Sequence, residues 1–164
     1  MRPVPDKPLP GQESVWDYPR PAIAEPTSRH LIVRHRGVTI ADTRHGVRTL
    51  ETSHPPTYYF PAEDVATELL KPTAQRSLCE WKGQARYFDV RVGGETIAAA
   101  VWSYADPTRA FASIAGHFAF YPHLFDTCLV DGERALPQPG GFYGGWVTSD
   151  LAGPFKGGPG SRFW

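Results

Sequence analysis

The residues best suited to chemistry are gathered in one short stretch, residues 77–83. This stretch holds a thiol at Cys79, an indole at Trp81 and an ammonium at Lys82. A thiolate is a nucleophile, and a neighbouring cation or histidine favours its formation. A lysine ammonium can pair with a carboxylate or a phosphate. Cys79 is therefore a candidate nucleophile and Lys82 a candidate anion-binding group. The alternatives are a thiol that only packs and a solvated lysine in a turn.

The six histidines do not have the spacing of a metal site. The chain contains no His-Glu-x-x-His and no Cys-x-x-Cys pair, so we expect no metal. His117 is the candidate general acid or base, because an imidazole changes charge near neutral pH. Alternation along a strand would place it on one face with Ala119 and Tyr121. The alternative is a histidine that packs in the core with its polar atoms satisfied.

Two common active-site motifs are missing from the sequence. The glycine-rich stretch 153–160 lacks the Gly-x-x-x-x-Gly-Lys-Ser/Thr order of a phosphate-binding loop, and no strand and helix flank it. The Gly-x-Ser-x-Gly elbow of a serine hydrolase does not occur. We therefore expect no cofactor, and the sequence leaves open whether the protein is an enzyme.

The elements that must position these residues are mostly short strands. In the middle of the chain, β-branched and aromatic runs alternate with glycine turns, which predicts a mainly β domain. The expected strands are residues 30–35, 38–42, 47–52, 85–92, 95–104, 117–121 and 128–130. Two short helices are also expected. One starts at Pro61 and ends before Pro72, and the other runs from Asp106 to Gly116.

The hairpin of residues 85–104 carries a row of aromatic residues. Its turn, Gly93-Gly94, is a two-residue connection that can take the positive φ values of a primed turn. This loop length fixes the register and puts Tyr87 opposite Ala100. The row that we call the aromatic face consists of Tyr87, Trp102 and Tyr104. Small alanines beneath these rings leave room for either a ligand or a packed arm.

Length and charge limit the classes of protein that fit. The chain has 164 residues, enough for one domain with a packed core. It has 17 Lys and Arg and 17 Asp and Glu, and this zero net charge argues against a nucleic-acid partner. No apolar run approaches the ~20 residues of a membrane span, so no membrane partner is expected. The N-terminus shows no secretory signal, which predicts a cytoplasmic protein, and the two cysteines are compatible with a reduced state. The alternative is one disulfide between Cys79 and Cys128, which their spacing leaves open.

Proline and glycine divide the chain into three parts. Residues 1–26 hold seven prolines, and residues 137–164 hold four prolines and eight glycines, so we expect irregular arms at both ends. Residues 27–136 are then the β-rich domain. Aromatic residues are expected to anchor the C-terminal arm to this domain by burying apolar area, namely Trp146, Phe155, Phe163 and Trp164.

Four motifs resemble, in order and spacing, those of the domain-of-unknown-function 427 family of bacteria and fungi. They are Tyr59-Phe60-Pro61, Ser77-x-Cys79-x-Trp81-Lys82-Gly83-x-Ala85-x-Tyr87, Ala100-x-Trp102-x-Tyr104-x-x-Pro107 and Ile114-x-Gly116-x-x-Ala119-Phe120-Tyr121. The resemblance covers about residues 37–132 and implies a small antiparallel β domain with two sheets that meet like a tent. Glu80 stands where many members have proline. The family's nucleotidyltransferase-like label has no support here, because these motifs include neither a Gly-Ser signature nor an Asp-x-Asp pair.

Two functions from different classes fit these residues. The first is a small-molecule pocket for a planar or anionic metabolite. Its residues would be Trp81, Lys82, Tyr87, Trp102, Tyr104 and Tyr121, with Cys79 and His117 as candidate catalysts. The second is a non-catalytic scaffold or protein-interaction module, whose aromatic face is covered by the arms or by a second copy in a homodimer. A nucleic-acid interface is a third and weaker candidate, because it needs a basic groove.

Overall fold

The computed structural model describes residues 2–164 and shows a mainly β protein. Strands make up 44% of the chain and helices 11%, so strands dominate. The strands, numbered in chain order, are β1 (Glu13–Ser14), β2 (Ile23–Pro26), β3 (Leu31–His35), β4 (Val38–Thr43), β5 (Val47–Leu50), β6 (Thr57–Tyr59), β7 (Leu70–Cys79), β8 (Gly83–Val92), β9 (Glu95–Ser103), β10 (Phe118–Phe120), β11 (Thr127–Val130), β12 (Glu133–Arg134), β13 (Leu136–Pro137), β14 (Trp146–Val147) and β15 (Leu151–Ala152). None of the helices within residues 2–164 has the length and hydropathy of a membrane span.

Two four-stranded antiparallel sheets carry the fold. The first sheet has the strand order β10-β9-β8-β7, and the second sheet has the order β12-β11-β3-β4. A three-stranded sheet, β2-β5-β6, and the pairs β1-β15 and β13-β14 complete the structure. The mainly β class expected from the sequence is therefore confirmed, whereas the tent of two sheets is not.

The helices are all short 3₁₀ segments. Both regions that the sequence predicts to be helical, after Pro61 and after Asp106, contain such segments. They lie at Val15–Asp17, Ala62–Asp64, Thr67–Leu69, Arg109–Ile114 and Pro122–Leu124. The helix expected from Pro61 is present as two separate 3₁₀ turns. The helix expected from Asp106 begins later, after Thr108, and Gly116 follows it with φ +69°.

The main hydrophobic core joins the two four-stranded sheets. Every second residue of β8 from Phe88 to Val92 is buried in it, because successive side chains of a strand point to opposite faces. On the second sheet, Leu31 of β3 is fully buried in the same cluster. Phe60 and Phe120 pack edge to face there, with ring centroids 5.2 Å apart.

Both ends of the chain contribute strands and buried side chains, so the expectation of irregular arms is not confirmed. Trp146, which begins β14, is fully buried in the main core, and its ring centroid lies 5.2 Å from that of Tyr58. Near the other end, Val15 and Trp16 pack in a separate cluster against β15. Phe163, one of the expected anchors, is instead 89% exposed.

The turn of the β8–β9 hairpin is as expected. Gly93 and Gly94 have φ values of +57° and +84°, which residues other than glycine rarely adopt. Next to this turn, Val90 pairs with Ile97, as the loop length predicts. Turn chemistry alone therefore sets the register of the first few pairs.

Further from the turn the register differs from the expectation. Between the Val90–Ile97 pair and the Phe88–Val101 pair, β8 advances two residues and β9 advances four. The two extra residues form a bulge, in which the N–H of Ala99 donates to the Asp89 carboxylate at 2.8 Å. Tyr87 consequently pairs with Trp102 and not with Ala100. Ala100 is buried in the main core, and Ala99 takes its expected place beside the aromatic face.

The long strand β7 is not among the strands expected from the sequence. It pairs with β8 at the edge of the first sheet, and most of its side chains are exposed. An exposed edge strand has no alternation of apolar and polar residues, so its sequence resembles that of a loop. β7 ends with Cys79 paired to Gly83 and thereby fixes the intervening turn, which holds Lys82.

Candidate functional site

A cavity of about 680 Å³ lies beside the aromatic face. Side chains of β7, β8 and β9 line it together with residues 49–59. Residues 121–124 and the stretch 138–144 also contribute. The cavity is thus lined by parts of the chain that are far apart in sequence.

Aromatic rings form much of the wall. The ring of Trp102 lies 4.5 Å from that of Tyr121, centroid to centroid, and meets Tyr59 edge to face. The indole N–H of Trp102 donates to the Tyr59 hydroxyl at 3.2 Å. Gly144 packs directly on the Trp102 ring, and a Cβ at this glycine would lie 2.2 Å from the ring. The C-terminal part of the chain therefore covers one edge of the aromatic face without filling the cavity.

The phenols of the wall are neutral groups. Burial raises the pKa of Tyr59, Tyr104 and Tyr121 above the ordinary value of a tyrosine. At physiological pH each hydroxyl therefore keeps its proton and can both donate and accept a hydrogen bond. The wall thus offers planar rings with polar edges.

Six of the eight residues singled out from the sequence line this cavity. They are Cys79, Lys82, Tyr87, Trp102, Tyr104 and Tyr121. The hydroxyl of Tyr87 lies 2.8 Å from that of Ser77, which lines the cavity as well. The structure therefore brings together most of the side chains that the sequence placed in the motif-bearing segments.

The other two residues lie outside the lining. Trp81 is half-buried against the hydrophobic cluster that contains Trp102 and Tyr104. Its carbonyl accepts a hydrogen bond from the Thr108 hydroxyl at 2.5 Å. His117 precedes β10, and its Nδ1 lies 3.2 Å from the carbonyl of Ala115. The structure does not bring the His117 imidazole together with Cys79 and Lys82.

Lys82 is a half-buried cation at the cavity wall. Its turn is tied down by the N–H of Thr108, which donates to the Lys82 carbonyl at 2.9 Å. The ammonium lies 5.4 Å from the centre of the Phe111 ring. Within residues 2–164 it forms no ion pair with a carboxylate. The positive charge is therefore available to an anionic group in the cavity.

The structure adds two charged or titratable residues that the sequence analysis missed, Glu51 and His54. Both follow β5, and the N–H of His54 donates to the Glu51 carbonyl at 3.0 Å, which closes a turn. This turn places His54 Nε2 at 3.4 Å from Glu51 Oε2. Both side chains line the cavity.

A third residue, Gln138, fixes the tautomer of His54. The Gln138 Oε1 accepts a hydrogen bond from the N–H of Gly145 at 3.1 Å, so the other terminal atom is the nitrogen. This Nε2 donates to the carbonyl of Lys156 at 2.9 Å and lies 3.0 Å from His54 Nδ1. His54 Nδ1 must then be the acceptor, and the ring proton sits on Nε2, which faces Glu51.

Opposing effects act on the Glu51 carboxyl. Its burial acts to raise the pKa, but the contact with His54 and the charges of Lys82 and Arg20 lower it by more. The pKa of Glu51 is therefore below its usual range, and the group is a carboxylate at neutral pH. The cavity thus contains one anionic and one cationic side chain.

Nothing in the sequence around Glu51 marks it as part of a site. Glu51 and His54 lie three residues apart in a loop, a spacing that matches no motif. Their partner Gln138 is 84 residues away from His54. Only the fold brings these residues together, beside the aromatic face that the sequence does predict.

Among the residues that the structure describes, no three His, Cys, Asp or Glu side chains cluster as a metal site. The chain matches a family model described as a domain of unknown function (DUF427) over residues 23–131, about two thirds of its length. No curated protein matches it. The matched range contains most of the cavity lining, whereas Gln138 and residues 141–144 follow it.

Proposed function

This chain belongs to the DUF427 family, a family of unknown function, and from its cavity we propose that it binds a planar small molecule with an anionic group. The observation that carries the proposal is one cavity, about 680 Å³ in volume, that combines the aromatic face with the ammonium of Lys82, which forms no ion pair within residues 2–164. Ligand pockets typically measure about 300–1,000 Å³ and combine apolar walls with a few polar groups.

The aromatic wall favours a flat ligand. Indole and phenol rings attract other planar rings in stacked or edge-to-face arrangements. Trp102 and Tyr104 present such rings to the cavity. Both rings belong to one buried hydrophobic cluster, whose other members hold them in position. A ligand between these walls would lose water without having to order flexible side chains.

Lys82 favours a carboxylate or phosphate on that ligand. Lys82 is half-buried and has no carboxylate partner among the described residues, so an anionic group on the ligand could pair with its ammonium through a charge-assisted hydrogen bond. Cys79 stays the candidate nucleophile, because it also lines the cavity. Binding is the function proposed, with Cys79 as the group that a bound electrophile would meet.

The second candidate function is a protein-interaction module, and exposed apolar side chains at the rim of the cavity favour it. Leu78 is 81% exposed and Phe142 is 77% exposed, and both line the cavity. A second copy of the chain or another protein could cover them. Sedimentation over a range of concentrations tests this idea. A dimer that is lost in Leu78→Asp would support the interaction module.

The proposed binding is tested with 2-naphthoate, a planar anion, by NMR titration of ¹⁵N-labelled protein. We expect the indole N–H signal of Trp102 to shift on titration. Lys82→Gln should weaken binding about 10- to 100-fold, because hydrogen bonds to charged groups contribute about 1.5–3 kcal/mol. Lys71→Gln, on the exposed edge of β7, is the matched control and should leave affinity unchanged.

Two results would overturn the proposal. One is a titration in which 2-naphthoate moves no signal of a cavity residue. The other is equal affinity in the wild type and Lys82→Gln. Backbone amide spectra of each variant show whether the fold is retained.

A further inference from the structure

Glu51 is the anionic group of the cavity, and its carboxylate can still accept hydrogen bonds. Its Oε2 lies 3.4 Å from His54 Nε2 and 3.9 Å from an Arg20 guanidinium nitrogen. Both contacts are longer than an ordinary hydrogen bond to a carboxylate. Both carboxylate oxygens therefore keep lone pairs that can accept hydrogen bonds from a ligand.

Resting on the proposed function, we propose that Glu51 selects ligands that present neighbouring N–H donors on a planar ring. Such donors occur on amidines and on amino-substituted nitrogen heterocycles. A carboxylate recognises them through paired, charge-assisted hydrogen bonds in the plane of the donors. The ligand class is then a planar, N–H-donating ring that carries its anionic group toward Lys82.

The walls determine the direction from which Glu51 can be reached. The rings of Tyr59 and Trp102 line the same cavity as Glu51. A flat molecule held between aromatic walls presents its donors at its edge, in its own plane. Glu51 therefore meets the ring edge, where N–H groups lie.

Glu51 also acts against wrong ligands. A ligand with anionic groups at both ends would place one of them beside a carboxylate, and an uncompensated like-charge contact is costly in a half-buried site. Lys82 alone would accept any planar anion. The two charges together favour a ligand with one donor edge and one anionic group.

His54 and Gln138 are the positioning residues of this site. Because Gln138 donates to His54 Nδ1, the ring proton of His54 sits on Nε2, which lies 3.4 Å from Glu51 Oε2. The ring of Tyr143 packs edge-on against His54, with centroids 4.7 Å apart, and limits its rotation. The His54 ring beside the Glu51 carboxylate is therefore held in one orientation in the free protein, which reduces the entropy lost on binding.

Two of these positioning groups follow the part of the chain that matches the family model. Gln138 and Tyr143 lie beyond residue 131, where that match ends. Residues beyond position 131 thus hold the His54 ring beside the Glu51 carboxylate, whereas His54 and Glu51 themselves lie within the matched range. Selection of the donor edge is consequently a property of this chain's C-terminal part as well as of its family fold.

The test compares two flat molecules of the same shape and opposite charge, 2-naphthamidine and 2-naphthoate, by NMR titration. In the wild type we expect both to shift signals of cavity residues. Glu51→Gln should weaken 2-naphthamidine binding at least tenfold and leave 2-naphthoate binding equal or tighter. Glu63→Gln, an exposed acid of the Ala62–Asp64 turn outside the cavity lining, is the matched control and should change neither affinity.

The outcomes separate this inference from the proposed function. If 2-naphthoate binds in a Lys82-dependent way but Glu51→Gln leaves 2-naphthamidine binding unchanged, the role of Glu51 is overturned and the binding function stands. Loss of only 2-naphthamidine binding in Glu51→Gln supports the inference. If neither molecule binds the wild type, both the binding function and the role of Glu51 are overturned.

The positioning role has its own spectroscopic readout. Ring ¹⁵N shifts of His54 in the wild type should show a neutral imidazole with its proton on Nε2. In Gln138→Leu this preference should relax toward a mixture of tautomers, and 2-naphthamidine binding should weaken. A proton on Nδ1 in the wild-type protein would overturn the positioning role without the need for any variant.

Discussion

At the scale of single residues, the two cysteines of this chain have opposite surroundings. Cys128 is 3% exposed in β11, and burial raises its pKa to about 12, although the charge of Arg134 lowers it in part. Cys79 is half-buried at the end of β7 and lines the cavity. Residue type cannot distinguish these two thiols, but their environments do.

We expect N-ethylmaleimide to label Cys79 in the native protein and to reach Cys128 only after unfolding. Cys128 keeps its proton and is inaccessible, so it lacks both the thiolate and the access that alkylation needs. Peptide mass spectrometry after timed labelling measures both rates. Cys79→Ser should abolish native labelling. Equal labelling of the two cysteines in folded protein would contradict this prediction.

At the scale of elements, the bulge in β9 decides which side chains border the cavity. Ala99 takes φ +49°, a left-handed conformation that costs an ordinary residue roughly 1–2 kcal/mol. The Asp89 carboxylate compensates by accepting the Ala99 N–H, which the bulge removes from the ladder. Without the bulge, Tyr87 would pair with Ala100, and the aromatic face would be offset along β9.

Ala99→Gly should stabilise the protein by about 0.5–1 kcal/mol, because glycine adopts a positive φ without a Cβ clash. Ala98→Gly, one residue earlier and exposed in the same strand, is the matched control. It should destabilise by about 0.5–1 kcal/mol, since Ala98 does not have a positive φ and glycine loses more conformational freedom on folding than alanine. Urea denaturation measures both changes. A loss of stability in Ala99→Gly equal to that in Ala98→Gly would contradict the role given to the bulge.

At the scale of the whole molecule, Trp146 ties the C-terminal part of the chain to the family domain. Its ring is fully buried and packs against Tyr58 and Phe60 in the main core. Its backbone N–H donates to the carbonyl of Pro56 at 2.8 Å. The same stretch supplies Gln138 and Gly144 to the cavity, so folding of the core and formation of the site depend on one anchor.

Trp146→Ala should destabilise the protein by about 3–5 kcal/mol, the usual cost of removing a large aromatic side chain from a packed core. Thermal and urea unfolding measure the loss. Phe142→Ala, four residues earlier and 77% exposed, is the control and should change stability by less than about 0.5 kcal/mol. If the two variants were equally stable, Trp146 could not be the anchor of the C-terminal part.

The sequence by itself determined those features that depend on residues close together in the chain. The Gly93-Gly94 turn, the mainly β class and the grouping of Cys79 and Lys82 near the aromatic face follow from residues close together in the chain. Turn chemistry and strand alternation act over a few residues, so they can be recognised without the fold.

The tertiary structure decided the position of β7, the bulge in β9 and the residues that surround Glu51. The exposed strand β7 has no alternation to reveal it, and the bulge depends on Asp89 reaching Ala99 across the hairpin. The carboxylate of Glu51 becomes part of a site only when the chain brings Gln138 to His54 from 84 residues away. Contacts between such distant residues form because the chain buries Trp146 and its neighbours in one core. No local pattern in the sequence records which distant partners that burial brings together.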